Sequence, residues 1–329
     1  MMFPMMTTPP ILRFTLCLSV ASAFCLYADD GWRIEPGTVE WKVQDTIEGA
    51  NDLSGLASMD RSAGWLVSDE TRTAQRFHLV RATHTLTAGA SMKLLSGRGK
   101  ELDLEGITTS SDGRHYYATG SHSVARKSGE VQPDRLRVFR FPAGDADAQP
   151  QATDIAVSTL TTVIRSDAVL STALGKSSEE GGIDTEGVAE KHGVLFFGLR
   201  APSIDGHAFI LEVRADPFFA DPAKAEHQTY ELALGQGYGI RDIARVGDGF
   251  LIIAGSSLSE EGKLGFVLHH WSGPGGKLTK IGTMPKAAGK AEGLLVLSES
   301  STCIDVLILH DGVENGAPTE LRLTRTAAP

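Results

Sequence analysis

LDLEGITTSSDGRHYYATGSHS, residues 102–123, has two acidic residues at its start, Asp103 and Glu105, then a short apolar run, a turn and a second short apolar run. The turn contains Asp112-Gly113, a pair suited to the positive φ angles of a tight β-hairpin. Both apolar runs have the length of strands, and a polar group containing His122 follows the second. The stretch therefore predicts an antiparallel hairpin with carboxylates at its beginning and a histidine at its end.

Similar units recur along the chain, each with a polar start, a short apolar strand, a turn and a second apolar strand. By subtraction, equivalent positions in the five units are 51, 81, 55 and 51 residues apart: Ser54, Glu105, Glu186, Arg241 and Glu292. A period near 50 residues with several short strands per unit is typical of a β-propeller blade. A β-sandwich gives no reason for such a period, and a β-helix repeats at shorter intervals.

The sequence therefore predicts an all-β fold, a β-propeller of five blades. A sixth blade is the alternative if the long interval hides a degenerate unit. We expect a helical or loop insertion around residues 158–182 to account for that interval. The segment 39–45 is expected to complete the last unit, so that N- and C-terminal strands close the ring.

Composition and charge restrict the number of domains and the kind of partner. The chain has 329 residues, 41% hydrophobic and 22% charged, which is typical of a soluble globular protein. Its formal net charge of −10 argues against nucleic acid as a partner, because phosphate-binding proteins usually have basic surfaces. A small anionic ligand is compatible with this charge, because the local electrostatic potential at a site can differ in sign from the net charge. We expect residues 29–329 to form one propeller domain and a monomer.

Residues 1–28 have the pattern of a signal peptide. Arg13 is the only charged residue before the acidic pair that follows an apolar run ending in small residues. Cleavage is expected after Ala23 or Ala28, and the run is short for a membrane span. The protein is therefore expected to be periplasmic or secreted, with no stable membrane insertion after cleavage. An uncleaved anchor is the alternative.

Sequence motifs of several enzyme classes are absent. The chain has no CxxC, HExxH, P-loop or GxSxG motif. The glycines of residues 235–239 are followed by a strand-like segment and not by a phosphate-binding helix. No nucleotide cofactor is therefore predicted.

The propeller geometry predicts a site at one rim of the central channel. The first strand of each blade starts at the rim to which the second returns, because the two strands form an antiparallel hairpin. In an Asp-x-Glu start both acids point to the same side of the strand. The predicted metal ligands are the acids at the strand starts: Glu105, Glu186, Glu292, Asp103, Asp184 and Asp242.

Converging carboxylates need compensation, because two unit charges about 4 Å apart repel by roughly 4 kcal/mol at an effective dielectric constant near 20. A hard divalent cation such as Ca²⁺, which takes about six to eight oxygen ligands, would supply it. Arg200, Arg241 and Arg126 are predicted to bind an anionic substrate group, and His122 to act as general acid or base. In the alternative interpretation the acids bond the neighbouring blade's backbone and pair with the arginines.

Four motifs, in this order, resemble the bacterial family known as domain of unknown function 3616: LDLEGIT…DGRHYYATGSHS, RLRVFRF, GGIDTEGVA…LFFGLRAP and GIRDIA…LIIAG. That family is more distantly similar to phytase-like esterase propellers. The resemblance implies an exported propeller and supplies no established catalytic residues. Ser54 and Arg241-Asp242 depart from the acidic pattern, which favours an asymmetric pocket.

Three functions follow from these observations. The first is a metal-assisted hydrolase of a phosphorylated or other anionic small molecule, such as a phytase-like phosphoesterase or esterase. The second is a non-catalytic propeller that binds a ligand or a protein. The third is a lactone or ester hydrolase, which the sequence does not separate from the first.

Overall fold

The computed structural model describes residues 31–97, 99, 101–125, 128–144, 152–247, 249–258 and 264–325. The predicted signal peptide and Arg126 lie outside these residues. Within them, five antiparallel sheets form a ring, which confirms the five-bladed β-propeller. No helix in the described part of the chain is both long and apolar enough to span a membrane.

The described chain begins with three short strands: β1 (Trp32–Ile34), β2 (Val39–Glu40) and β3 (Lys42–Gln44). The first blade consists of β4 (Leu53–Ser58), β5 (Ala63–Ser68), β6 (Thr73–Val80) and β7 (Thr85–Lys93). The second consists of β8 (Leu104–Thr109), β9 (His115–Gly120), β10 (Val138–Pro142) and β11 (Ala156–Ser158).

The third blade consists of β12 (Asp184–Lys191), β13 (Val194–Ala201), β14 (His207–Arg214) and β15 (His227–Ala233). The fourth consists of β16 (Tyr238–Val246), β17 (Gly249–Ser256), β18 (Val267–Trp271) and β19 (Leu278–Thr283). The fifth consists of β20 (Lys290–Glu299), β21 (Cys303–Asp311) and β22 (Thr319–Arg325), with β1 as its outer strand.

The ring closes between the two ends of the described chain. Strand β1 pairs antiparallel with β22, from Trp32 opposite Arg325 to Ile34 opposite Leu323. Strand β2 also pairs with β22, whereas β3 pairs in parallel with β7 of the first blade. Closure between N- and C-terminal strands is confirmed. The main closing strand precedes the predicted segment 39–45, whose second half belongs to the edge of blade one.

The predicted insertion lies between the second and third blades. It contains helix α1 (Leu160–Ser166) and two short 3₁₀ turns, Leu170–Ala173 and Ser178–Glu180. The side chain of Thr159 caps α1 by accepting a hydrogen bond from the Thr161 amide. The helix buries Leu160, Val163 and Ile164 against both blades, and a second helix, α2 (Ala215–Ala220), joins the same apolar cluster. The insertion therefore fills the gap between two blades.

Apolar side chains from neighbouring sheets form the core. The described residues contain five apolar clusters, one between each pair of adjacent blades. Aromatic pairs join blades: the ring centroids of Trp65 and Phe141 are 5.9 Å apart, and those of Phe196 and Phe250 are 4.7 Å apart. Each sheet packs against a neighbouring sheet on both of its faces, so both sides of its strands are apolar. Antiparallel sheets more commonly have one face in water.

Each innermost strand has a break in its pairing register close to its start. The breaks skip the five positions that the spacing predicted to be equivalent: Ser54, Glu105, Glu186, Arg241 and Glu292. An extra residue in a strand forms a β-bulge, which bends the strand and redirects a side chain. The bulges therefore turn one side chain per blade away from the regular ladder at the same level of the ring.

The glycine that follows a bulge permits close contact between inner strands. A Cβ atom on Gly106 would lie 3.0 Å from the Glu186 carbonyl oxygen. A Cβ atom on Gly187 would lie 2.8 Å from the Asp242 Cα. Here the inner strands of blades two, three and four approach backbone to backbone, which glycine permits because it has no side chain.

Candidate functional site

The bulges bring side chains from different blades together at one mouth of the channel. Ser54, Glu186, Arg241 and Glu292 are at most 5% exposed, and Glu105 is partly exposed. Strand β20 starts at the same rim where β21 ends, since Lys290 lies opposite Asp311 and its Nζ is 2.8 Å from the Asp311 Oδ2. The hairpin geometry therefore places strand starts and second-strand ends side by side.

Five carboxylates converge at this mouth and are called the acidic cluster: Asp69, Asp103, Glu105, Asp184 and Glu186. They form two overlapping groups of three that share Glu105. Within each group, one carboxylate oxygen of every residue lies within 4.8 Å of those of the other two. Oxygen donors this close have the spacing and the chemistry of a site for a hard divalent cation.

Three arginines neutralise part of the acidic cluster. Arg200 forms an ion pair with Asp184, and its Nε lies 3.0 Å from the Glu186 Oε1. Arg241 pairs with Glu292, and its Nη1 lies 3.6 Å from the same Glu186 oxygen. These carboxylates raise the pKa of Arg200 against the opposing effect of its burial.

On the other side of the cluster, Arg135 Nη1 lies 3.1 Å from the Asp103 Oδ2. Asp103, Asp184 and Glu186 therefore each have a guanidinium partner, which leaves Asp69 and Glu105 as the two cluster acids to account for.

Asp69 and Glu105 form no direct ion pair among the described residues, and arginines act on Glu105 only from a greater distance. The Asp69 Oδ1 atom is buried and accepts no hydrogen bond. Burial and the nearby Asp103 raise the pKa of Asp69 to about 8. Burial and the charges of Glu186 and Asp103 raise the pKa of Glu105 well above its usual range. These two carboxyl groups therefore require either a proton or a bound cation.

Asp242 and Glu292 lie outside the acidic cluster. The Asp242 Oδ1 accepts a hydrogen bond from the Ile243 amide, and its Oδ2 accepts one from the Leu294 amide of the next blade, both at 2.7 Å. Both oxygens of Asp242 are thus engaged with backbone, which is the interblade role that the sequence left open as the alternative. Glu292 is the ion-pair partner of Arg241.

His122 lies within the protein and touches the insertion. It is 5% exposed, and its Nδ1–H donates to the Gly120 carbonyl at 2.9 Å. Its Nε2 accepts a hydrogen bond from the Leu160 amide at 3.1 Å, at the start of α1. Burial lowers the pKa of His122 to about 4, so the ring is neutral. Both nitrogens are occupied, which gives His122 a structural role and leaves it no free position for proton transfer.

A cavity of about 520 Å³ opens beside the acidic cluster. Arg200 and Arg241, both predicted to bind an anion, line it together with Lys290 and Asp311. The third predicted arginine, Arg126, lies outside the described residues. The mouth therefore combines an acidic cluster with a cavity that has cationic side chains in its wall.

The sequence places Asp69 at the rim, because it follows the second strand of blade one, but assigns it no role and does not predict its contact with Glu105. Arg135 and Lys290 are missing from the predicted site. Arg135 precedes the third strand of blade two, whose start also lies at this rim. The signal for these residues was their place at strand ends, which many polar residues share.

Similar solved structures include a streptogramin B lyase, at 8% identity, with 90% of this chain and 98% of that chain covered and a TM-score of 0.45. The pyrroloquinoline-quinone-bound aldose sugar dehydrogenase of Streptomyces coelicolor is 12% identical, with coverages of 91% and 99% and a TM-score of 0.46. The exo-β-1,3-galactanase of Phanerochaete chrysosporium is 9% identical, with coverages of 89% and 64% and a TM-score of 0.48. At these identities the likenesses say nothing about activity.

No curated protein matches the chain significantly. One sequence family matches nearly all of the propeller, across residues 52–141 and 142–324. The chain belongs to the family described as Protein of unknown function (DUF3616).

Proposed function

We propose that this protein is a metal-dependent hydrolase of a small anionic substrate. In this proposal the acidic cluster binds a divalent cation such as Ca²⁺, and the adjoining cavity binds the substrate. The observation that carries the proposal is the pair Asp69 and Glu105, two closely spaced carboxyl groups that form no direct ion pair among the described residues, one of them with a buried oxygen that accepts no hydrogen bond.

The donor set fits a hard cation. All five cluster side chains offer carboxylate oxygens, and Ca²⁺ prefers such oxygen ligands. The Asp69 Oδ1 is buried without a hydrogen bond, which is costly unless a partner arrives. A divalent cation at this position would polarise a phosphoryl or carbonyl oxygen and promote ionisation of water.

The protein's own side chains would orient the substrate. Arg200 and Arg241 are fixed by carboxylates on neighbouring strands, so their guanidinium groups need little reordering when an anion binds. Lys290 is anchored by Asp311 at the edge of the same cavity. His122 has no place in this scheme, because the Gly120 carbonyl and the Leu160 amide engage both of its nitrogens.

Metal binding is the first test. Calcium titration of chelator-treated protein should give a calorimetric binding signal and raise the unfolding temperature. Glu105→Gln should abolish both effects while the protein remains folded. Glu231→Gln, at an exposed position on the outer strand β15, is the matched control and should bind like the wild type. If Ca²⁺, Mg²⁺, Mn²⁺ and Zn²⁺ all leave stability unchanged, the metal site is refuted.

Hydrolysis is the second test. Metal-loaded protein would be incubated with phosphomonoesters, phosphodiesters, acyl esters and lactones, and product release would be measured. Release that chelator abolishes supports the proposal, and the substrate class that reacts distinguishes a phosphoesterase from a lactone or ester hydrolase. Metal binding without any turnover would favour the second function, a binding propeller. The engagement of both His122 nitrogens is the observation that favours this alternative.

We further propose that the protein is exported to the periplasm or secreted and acts as a monomer. The support for export is the apolar run behind Arg13, which ends in small residues. Cell fractionation and the N-terminal sequence of the mature protein test the location, with cleavage expected after Ala23 or Ala28. Light scattering of the purified protein tests the monomer.

A further inference from the structure

The cavity beside the acidic cluster has walls of two different kinds. Its inner end is formed by Arg200 of blade three and Arg241 of blade four, and one side by the segment 283–290 that leads into blade five. Described residues between β17 and β18, among them Leu264 and Phe266, also line it. A volume of about 520 Å³ is in the usual range for sites that bind small organic molecules.

The charged side chains of the wall are mainly cationic. Arg200, Arg241, Lys286 and Lys290 line the cavity, and Asp311 is the one acidic residue among the described lining residues. Glu186 and Glu292, which pair with the arginines, are not part of the lining. The carboxylates paired with Arg200, Arg241 and Lys290 compensate much of this charge. What the wall offers an anionic group is therefore a set of guanidinium and ammonium donors.

The remaining wall is largely apolar: Leu258, Leu264, Phe266, Met284 and Pro285. Leu258 is 46% exposed, which is unusual for a large hydrophobic side chain in this protein. A grouped apolar surface beside a site of opposite character is typical of a ligand-binding surface.

The two walls meet at Gly255 in β17. A Cβ atom at this position would lie 2.7 Å from the Phe266 ring and 2.8 Å from the Arg241 Cγ. The ring and the arginine stem therefore lie over the same glycine, and a single ligand can touch both.

We infer that the cavity binds an organic anion with an apolar body, such as an aryl or alkyl phosphate or carboxylate. The inference rests on the proposed function and specifies its substrate class. The anionic group lies at the Arg200 and Arg241 end, and the apolar body contacts Leu264 and Phe266. Strongly hydrophilic anions such as sugar phosphates lack the group that the apolar wall would bury.

Non-hydrolysable ligands test this inference separately from turnover. Naphthylphosphonate and methylphosphonate share one head group and differ in their apolar body, and naphthoate and acetate form the matching carboxylate pair. Naphthylphosphonate should bind by calorimetry at least about tenfold more tightly than methylphosphonate, because burying an aryl ring yields more than the ~1.4 kcal/mol that a tenfold change requires. Comparison of the two pairs shows which head group is preferred.

Gly255→Ala adds the geometric test. The new methyl group should push the Phe266 ring into the cavity, because Arg241 is held by two carboxylates and cannot move easily. Binding of naphthylphosphonate should weaken about tenfold or more while methylphosphonate binding changes little, since only the bulky body meets the displaced ring. Gly282→Ala, whose Cβ would make an ordinary 3.5 Å contact in the same blade, is the control.

The outcomes separate the inference from the proposed function. Equal affinity for the naphthyl and methyl compounds, or an unchanged preference in Gly255→Ala with an intact fold by circular dichroism, overturns the inference even if metal binding and turnover are found. Preference for the naphthyl compound without metal binding or turnover supports the ligand class and refutes the hydrolase.

Discussion

Replacing Glu105 by glutamine should stabilise the metal-free protein. Glu105 is shared by both groups of the acidic cluster, with one carboxylate oxygen within 4.8 Å of those of its neighbours. It forms no direct ion pair among the described residues. Unit charges at this separation repel by roughly 3 kcal/mol at an effective dielectric constant near 20. Arginines offset Asp103, Asp184 and Glu186, so we expect a net gain of about 1 to 3 kcal/mol in unfolding free energy.

The stability gained by Glu105→Gln should increase with pH. The folded state raises the pKa of Glu105, so it favours the protonated carboxyl group. The contribution of Glu105 to the unfolding free energy is therefore fully present below its pKa in the unfolded state. It is lost as the pH rises through its pKa in the folded state. Glutamine carries no such dependence, and the difference between variant and wild type should be small at acid pH and grow towards pH 8.

Urea unfolding with chelator at several pH values measures this difference. Glu186→Gln is the matched comparison, because Glu186 bridges Arg200 and Arg241 and its loss should destabilise the protein by about 3 kcal/mol. If Glu105→Gln destabilises the metal-free protein as Glu186→Gln does, Glu105 holds blades together and the metal-site reasoning is wrong.

Three further predictions concern the ring itself. Burial lowers the pKa of His122 to about 4, so its contribution is present above its ordinary pKa of 6.5 and lost as pH falls towards 4. Between pH 7 and pH 4 the His122→Gln variant should therefore lose about 3 kcal/mol less unfolding free energy than the wild type, as measured by urea unfolding. Equal loss in both proteins would contradict this. Asp242→Asn should lower the unfolding free energy by about 1 to 3 kcal/mol, because an amide nitrogen cannot accept from Leu294, but leave calcium affinity unchanged by calorimetry. Gly187→Ala should lower the melting temperature because its Cβ would lie 2.8 Å from the Asp242 Cα, whereas Gly282→Ala should be nearly neutral.

The spacing of similar units was enough to predict the propeller, because a blade needs the same sequence features wherever it occurs. It also identified the five equivalent positions, since a glycine directly follows four of them, and only blade four has Asp242 there. The closing strand was harder to locate, because β1 has only three residues and no counterpart in the repeat.

The roles of individual site residues were less predictable. The sequence could place Asp103, Glu105, Asp184 and Glu186 at one rim but not show which of them an arginine neutralises, because that depends on side-chain direction across blades. The sequence places His122 after the second strand of blade two and so at the rim. Its real partner is the amide of Leu160 in an insertion that no other blade contains.

The bulge in each inner strand affects which amino-acid substitutions the ring tolerates at its channel mouth. A residue at such a bulge stands outside the regular ladder, so neighbouring strands stay in register whatever its side chain carries. Ser54, Glu105 and Arg241 already show a hydroxyl, an anion and a cation at the same geometric position. Substitution at one bulge position can therefore change the chemical groups at the channel mouth in a single blade without changing the strand pairing of the sheets.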